Sequence, residues 1–538
     1  MGEDIKMKLD NYRKKLKVKF VSVESGITAL GFRKIAALAK KLNPETDICF
    51  IPVDNLYSIM SHIFPTKKID FDNKNIKIVA KYLAKSDLVC FSSMTKSASY
   101  VEKIAKAIIK ENPKTFLLWG GVHPIIHPNE AIKYVDAICT GEGEVPFKKF
   151  YKAFCKGKNY LSTQSMWFKT KRGIKKNKNL SLNNSKLLNS FPYLYINLDC
   201  QIYDLRQRKF RNFTKFDYIK YHGLTYRTVW SIGCPYSCAY CANDAFISYD
   251  GNYRKIRHAP VKHLIDEIEN ALKMHPYIAT IAFYDDNFIA IPFEKIKKFS
   301  KIYKKRINLP FVVFGLHPNI VTKKKVDILA KAGMNRTRMG IQSGSEKILS
   351  FYNRPTPLLK IKESVKILAK ATKKYKMIPP SYDIINDNPL ETKKDVINSL
   401  KFIYSLERPY TLTIFSLRVF PKTKLWEYFK HHPEIDIRHK NSSYLDTKRS
   451  MNNILFYLLG ILKPPKFIFN KLLKSIRGYQ EKQKSYPLLY FLIKTAYLIS
   501  RGVQHLIRLD FTVNVGWWMY YVWRFGLVKR GNNNRNSY

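Results

Sequence analysis

Short β-rich runs separated by amphipathic helical stretches recur along this chain, first five times and then six, and this alternation restricts the fold more than any other feature. Strand, helix, strand is the repeating unit of a parallel sheet, because the helix carries the chain back to the end from which the next strand must start. The first set comprises Val18 to Val23, Asp47 to Ile51, Leu88 to Ser92, Thr115 to Trp119 and Asp136 to Cys139. It predicts a doubly wound, Rossmann-like α/β domain over residues 15–155. The second set comprises Thr228 to Ile232, Ile278 to Tyr284, Phe311 to Leu316, Arg336 to Ile341, Ser381 to Ile385 and Leu412 to Leu417. It predicts β/α barrel units over residues 225–430, joined by helices such as Val261 to Leu272. Residues 156–224 hold the Lys- and Asn-rich run Lys169 to Lys186 and are expected to form a linker or surface excursion of little core-forming power. Residues 431–538 are expected to form a mostly helical, basic and aromatic C-terminal region.

Ligands of such sheets bind beyond the carboxyl ends of the strands. Directly after the first strand of the second set comes Gly233-Cys-Pro-Tyr-Ser-Cys-Ala-Tyr-Cys241, in which Cys234, Cys238 and Cys241 are spaced CxxxCxxC. A closed zinc site wants four ligands, commonly in two pairs. No cysteine follows Cys241, so a second pair is missing. Three thiolates suit three irons of a cubane cluster and leave the fourth iron open; three ordinary buried cysteines in a turn is the plainer alternative. The other cysteines, Cys49, Cys90, Cys139, Cys155 and Cys200, are scattered, and Met1-Gly-Glu-Asp-Ile-Lys6 lacks an apolar h-region. A reducing, cytoplasmic setting is therefore expected.

The cysteine loop resembles the cluster loop of the radical S-adenosylmethionine (SAM) superfamily, in which an aromatic residue precedes the last cysteine, as Tyr240 does. The resemblance implies a partial (β/α)6 barrel and a 4Fe-4S cluster whose open iron is chelated by SAM. Reductive cleavage of SAM would then give a 5'-deoxyadenosyl radical, with a reductase, flavodoxin or ferredoxin as electron donor. It further implies SAM contacts from Tyr240, from Asp285 and Asp286 in Phe283-Tyr-Asp-Asp-Asn287, from Gln342 and Ser343 in Met339-Gly-Ile-Gln-Ser-Gly-Ser-Glu346, and from Asn388 in the segment Asp383 to Thr392. Read without the family, the first of these segments is a strand-end turn and the second a helix start. Val419-Phe-Pro-Lys-Thr-Lys-Leu425 resembles the family's Pro-Gly-Thr-x-Leu, with Lys422 in place of the glycine.

The strand ends of the first set read Glu24-Ser-Gly26, Phe91-Ser-Ser93, Gly120-Gly-Val-His-Pro124 and Gly141-Glu-Gly-Glu144. Small residues let a flat ligand approach the backbone closely; taken singly, such loops would equally suit flavin or nucleotide. Trp119 to Pro124 followed by Thr140 to Glu144 resembles the cobalamin-binding domain fused to many radical SAM enzymes. This implies cobalamin contacts from Ser25, Ser92, Ser93, Gly120, Gly121, Gly141 and Gly143. One departure concerns the cobalt. Where a ligating DxHxxG would sit, the chain reads Glu24-Ser-Gly-Ile-Thr-Ala-Leu-Gly31, without histidine. His123 and His127 are expected to be structural, hydrogen-bonding residues. The two resemblances together imply cobalamin-dependent methylation of an unactivated carbon. A radical SAM cyclase or carbon-carbon bond-forming enzyme is the alternative, and a membrane-associated iron-sulfur sensor or binding protein a third.

A net charge of +54 attracts polyanions. Lysine is spread along the whole chain, and no zinc finger, helix-turn-helix or RNA-binding signature accompanies it, which argues against nucleic acid as partner. The last hundred residues carry apolar aromatic clusters, Ile454 to Leu462, Tyr486 to Ile493 and Val515 to Trp523, each followed by Lys or Arg and none long enough to span a bilayer. Such segments suit in-plane association with an anionic membrane surface, on its inner face, and equally a helical lid on the barrel. An apolar or lipid-like small-molecule substrate is expected.

Overall fold

The computed structural model describes residues 16–53, 70–354, 356–435, 447–479, 481, 483–508, 510 and 519–527. The opening Met1 to Lys6 and residues 515–518 of the third apolar cluster lie outside them. The main chain divides into two units between Gly223 and Leu224.

The first unit is built on β1 (Val18–Glu24), β2 (Asp47–Pro52), β3 (Leu88–Ser92), β4 (Phe116–Gly120), β5 (Ala137–Cys139), β6 (Met166–Thr170), β7 (Gly173–Lys176), β8 (Cys200–Asp204) and β9 (Lys209–Asn212), in the order β7-β6-β5-β4-β3-β1-β2-β8-β9. The five expected strands are present within a residue or two of their predicted limits, all parallel. Both faces of the sheet are covered, so β1 carries Val18, Phe20, Val21 and Val23 all buried instead of alternating. The order β2-β1-β3-β4-β5 reverses direction at β1, and the crevice at this switch point is where such sheets take ligands. The register aligns Ser22 with Ser92 and Ser92 with Gly120, bringing the small residues at the strand ends side by side.

Residues 156–224 are not a linker. They add β6 and β7 antiparallel to β5 at one margin of the sheet, and β8 parallel to β2, followed by antiparallel β9, at the other. The core-forming power lies in a few side chains. Tyr203 is fully buried and donates to Asn75 Oδ1 at 2.7 Å, and Phe210 stacks on Tyr82 with ring centres 4.0 Å apart. The lysine run contributes β7, exposed at all four residues, where Lys175 and Lys176 discourage pairing with another chain.

The second unit is a six-stranded parallel sheet of β10 (Thr225–Thr228), β13 (Thr280–Phe283), β14 (Phe311–Leu316), β15 (Met334–Gln342), β16 (Ser381–Asn386) and β17 (Thr411–Ser416), in that order. Its first strand starts and ends earlier than the expected Thr228 to Ile232. Ser231 and Ile232 (β11) leave the sheet and pair antiparallel with Arg257 and His258 (β12). Behind β10, the buried carboxylate of Glu267 accepts from Tyr226 and Thr228 hydroxyls at 2.9 and 2.7 Å, fixing the helix Val261–Met274 to the strand.

The C-terminal region is helical, with helices Met451–Ile461, Lys466–Leu473 and Pro487–Ile507. The first is buried almost all round and packs on β17 and on the third. Gly460 permits this approach, since a Cβ there would lie 2.8 Å from the Tyr497 ring. A Gly460→Val substitution should therefore lower stability by about 1–3 kcal/mol through overpacking. Thermal unfolding checks this, and an unchanged midpoint would count against the packing described.

Candidate cluster and cofactor sites

Gly233 opens the cysteine loop at φ +105°, where a Cβ would fall 2.5 Å from the Lys255 carbonyl oxygen, so only glycine fits. Cys234 N donates to Tyr253 O at 3.1 Å, and Cys241 N donates to Cys238 O at 2.9 Å. Asn353 Nδ2 donates to Ser237 O at 2.7 Å, while Ala239 is bridged by Tyr352 O and Leu425 N. The loop is thus held by backbone bonds on both sides. Burial pushes the Cys234 and Cys241 thiols up to about 11 and 12; unmetallated they would be inert, and metal binding displaces the proton. Among the described residues no three His, Cys, Asp or Glu side chains converge as ligands of one ion. A cubane makes a different demand, one thiolate at each of three separate irons, and three buried or half-buried thiols on one braced loop fit it.

Asp285 and Asp286, expected to contact SAM, accept hydrogen bonds from the root of the cysteine loop and from its neighbour Tyr253. Asp285 accepts from Trp230 N at 3.1 Å, Ser231 N at 2.6 Å and Ser231 Oγ at 2.6 Å. Burial outweighs those hydrogen bonds and pushes its carboxyl up to about 7. Asp286 accepts from Gly233 N at 3.2 Å and the Tyr253 hydroxyl at 3.0 Å. Both anchor the root of the cysteine loop, because the amides there leave the sheet and need acceptors.

Three more expected ligand contacts also act as braces. Asn388 accepts from Leu390 N and donates to the Tyr352 hydroxyl, each at 3.0 Å, and is fully buried. Ser343 meets Ser399 Oγ at 3.1 Å and accepts from Ser345 N at 3.1 Å. Tyr240 packs edge-on against Tyr352, ring centres 5.1 Å apart, within an apolar cluster that includes Leu417 and Leu425. Gln342 is different. It sits at φ +74° at the end of β15, and its Oε1 is buried without a partner.

Sequence reasoning missed three neighbours. Asn287 Oδ1 and His317 Nε2, beyond the ends of β13 and β14, are likewise buried without a partner, and His317 stacks on Tyr236 at 3.7 Å. Orphaned buried polar atoms at three neighbouring strand ends are what a bound polar ligand such as SAM would satisfy. Asn287 stood in a quoted motif beside the two aspartates; His317 and the third neighbour, Arg354, had no motif to flag them. Buried Arg354 donates from Nη1 to Cys238 Sγ at 3.4 Å and from Nη2 to Gly340 O at 2.7 Å. Gln342, Asn353, Asp387 and Lys422 all have φ between +49° and +74°, so left-handed backbone recurs around this site. Lys422, at +64°, keeps the turn that a glycine would adopt freely. Farther along the sheet lie the exposed Tyr284 and half-buried aromatic and charged side chains. Tyr284 meets Phe314 at 4.7 Å, and Arg338 donates to Asp383 Oδ1 at 2.7 Å with its guanidinium over Phe415.

In the first unit Ser92, Ser93, Gly120 and Gly121 meet at the strand ends as expected. A Cβ on Gly121, at φ +96°, would lie 2.8 Å from Ser93 O, and Trp119 Nε1 donates to Ser93 Oγ at 3.1 Å. The Cβ positions of Gly141 and Gly143 face Ser165 at 3.1 Å and Ile35 at 3.4 Å, so these two glycines serve packing on that side. Lys96 Nζ donates to Ser25 Oγ at 3.4 Å. Glu24 accepts from Met94 N at 2.7 Å. His123, expected to be hydrogen-bonded, has neither ring nitrogen partnered and is stacked between Trp119 and His127. Burial pushes its pKa down to about 4, so it is neutral. A shelf of small residues without a histidine in the β1 loop fits a flat macrocycle whose metal takes no ligand from that loop.

Residues 228–403 match the family described as the radical SAM superfamily, and residues 16–150 match the B12 binding domain. A protein of Pyrococcus horikoshii called an uncharacterized methyltransferase is 27% identical over 365 residues, 65% of this chain and 71% of the relative. The cobalamin-dependent SAM radical enzyme OxsB with aqua-cobalamin bound is similar in structure with a TM-score of 0.59 and 14% identity, over 96% of this chain and 76% of that one. The radical SAM methyltransferase TsrM from Kitasatospora setae, with tryptophan and a SAM analogue bound, gives 0.58 and 14% over 77% of this chain and 76% of that one. At such identities the structural likeness speaks for the fold. The cofactors that belong to the two matched domains are a 4Fe-4S cluster with SAM, and cobalamin.

Burial outweighs the Met94 amide and the Lys96 charge and pushes Glu24 from 4.5 to about 7, so the folded chain retains a proton that the unfolded chain releases. Stability should fall as pH rises from 4.5 to about 7 and stay low above it. Glu24→Gln should flatten the profile, with a difference on the order of 3 kcal/mol at most. Unfolding temperatures of the two proteins across this range check it; parallel curves would refute the assignment. Arg354→Gln removes a positive charge and an N–H donor from a cluster thiolate and should make the cluster potential more negative by roughly tens of millivolts, read by anaerobic redox titration.

Proposed function

This chain is a radical SAM protein carrying a B12-binding domain, and from that premise we propose that it methylates an unactivated carbon of a small organic substrate. The observation that carries the reading is the presence, in one chain, of the braced three-cysteine loop ringed by orphaned polar atoms and of the small-residue shelf at the switch point of the first sheet. When bound, the cluster and SAM supply a hydrogen-abstracting radical, and cobalamin supplies a methyl carrier.

The chain's own residues do the positioning. Asp285 and Asp286 fix the loop root, and Arg354 places a guanidinium against Cys238. Gln342, Asn287 and His317 offer polar atoms to SAM. For the substrate, Tyr284, Phe314 and Phe415 offer aromatic surface, and Arg338 with Asp383 a polar end. We read this as a largely apolar molecule with one polar or anionic group. The TsrM structure contains tryptophan, a small molecule of that description apart from its charge pattern. A flavodoxin- or ferredoxin-type protein is the proposed electron donor.

The anaerobically reconstituted protein should convert SAM to 5'-deoxyadenosine under a strong reductant, and Cys238→Ala should lose both the cluster absorbance and this activity. A Cys238→Ala protein that still forms 5'-deoxyadenosine would overturn the cluster assignment. Protein expressed with ample cobalamin should purify with it in stoichiometric amount; cobalamin-free protein would replace methylation with a radical cyclisation or bond-forming reaction.

A further inference from the structure

We propose that the outer face of the helix Pro487–Ile507 is an in-plane docking surface for an anionic lipid bilayer. The helix is turned inside out relative to one that faces water. Its only two charged residues, Lys494 and Arg501, lie on the protein side, where Lys494 Nζ donates to the Tyr490 hydroxyl at 3.2 Å and Arg501 Nη1 to the Tyr497 hydroxyl at 2.9 Å. Buried Tyr490, Tyr497, Leu498 and His505 fix that inner face, and His505 in turn meets buried Asp510 at 2.6 Å. Outward, Leu488, Leu492, Ile499, Val503 and Leu506 recur at helical spacing and are between 46% and 73% exposed. At 100° per residue these five fall within an arc of about 60°, and Leu489, Phe491 and Ile507, between 40% and 71% exposed, widen the apolar face to roughly 160°; the residues filling in between, Thr495, Ala496 and Gly502, carry no charge. Soluble monomers seldom expose a continuous apolar face of this size. The inner face also explains why a lid and a membrane surface are not alternatives here, since one side of the helix packs on the barrel unit and the other does not.

Charge selects the occupant. From Lys448 to the C-terminus there are sixteen Lys or Arg and two acidic residues, Glu481 and Asp510, and Asp510 is buried. The preceding helix in the chain, Lys466–Leu473, adds Phe467, 75% exposed, between Lys466 and Lys471 in sequence. Apolar side chains among cations match an acyl boundary beneath anionic headgroups. A second copy matches poorly, because each chain carries +54. The helix lies along the surface: no described helix is long and apolar enough to cross a membrane.

The test uses the full chain and vesicles of phosphatidylcholine with or without phosphatidylglycerol. Flotation should recover the protein with phosphatidylglycerol vesicles and not with phosphatidylcholine alone. Leu492→Glu combined with Ile499→Glu should reduce the bound fraction at least tenfold while leaving the unfolding temperature and cluster absorbance unchanged, since both sites are exposed. Leu492→Trp should show a blue-shifted emission quenched by brominated lipid. Failure of the wild-type chain to float would overturn the proposal. So would equal flotation of the double variant, which would mean attraction by charge without insertion, or a wild-type dimer that the double variant dissolves, which would mean that a second copy covers the face. None of these readouts depends on methyl transfer, so the proposed activity and the docking surface stand or fall separately.

Discussion

The second unit depends on two adjacent carboxylates at the end of one strand. Asp285 and Asp286 take up four N–H or O–H groups at the point where the chain leaves β10 and turns into the cysteine loop, together with the hydroxyl of Tyr253. An amide that leaves a sheet in a buried place must find another acceptor or incur a penalty of about 1–3 kcal/mol. Supplying those acceptors from just beyond β13 ties the root of the loop to the sheet, so the thiols inherit the rigidity of the barrel strands. The penalty falls on Asp285 itself, whose charge burial disfavours. Gly315, at φ +71°, completes the arrangement by letting the end of β14 pass against the Asp285 and Asp286 backbone, where a Cβ would lie 2.6 Å from a carbonyl oxygen.

The parallel strands were legible because a sheet covered on both faces writes uninterrupted apolar runs, and those runs fixed ten of the eleven expected strands within two residues. The exception, the first barrel strand, failed because Thr225 to Ile232 is one continuous β-favouring stretch, broken only by the pull of Asp285 on Trp230 and Ser231, a contact over fifty residues away in sequence. Residues 166–176 and 200–212 were hidden for another reason. The true edges, β7 and β9, bury little, and the strands inside them, β6 and β8, are only five residues long, so Met166-Trp-Phe168 and Ile202-Tyr203 are short apolar signals inside a strongly basic background.

At the site, the cysteine loop, Gln342 and the paired glycine and serine loops were legible as residue types, but their duties were not. Whether Asn388 or Ser343 faces a ligand or a neighbour depends on where Tyr352 and Ser399 arrive, and no local pattern encodes that. Arg354 lies more than a hundred residues beyond Cys238 and has no motif; only the fold brings it there. Lys422 shows the converse, a residue that breaks the family pattern while its backbone keeps it.

The strands contributed by residues 156–224 carry a practical consequence for dissection of the protein. A fragment stopping at Cys155 would strip β6 from β5 and β8 from β2, and so leave ladders of bare backbone donors and acceptors along both sides of the first sheet. Hungry edges of that kind seek partners in other molecules. The first unit is closed off by its own short outer strands, one lined with lysine, and the main chain passes to the second unit only after Gly223.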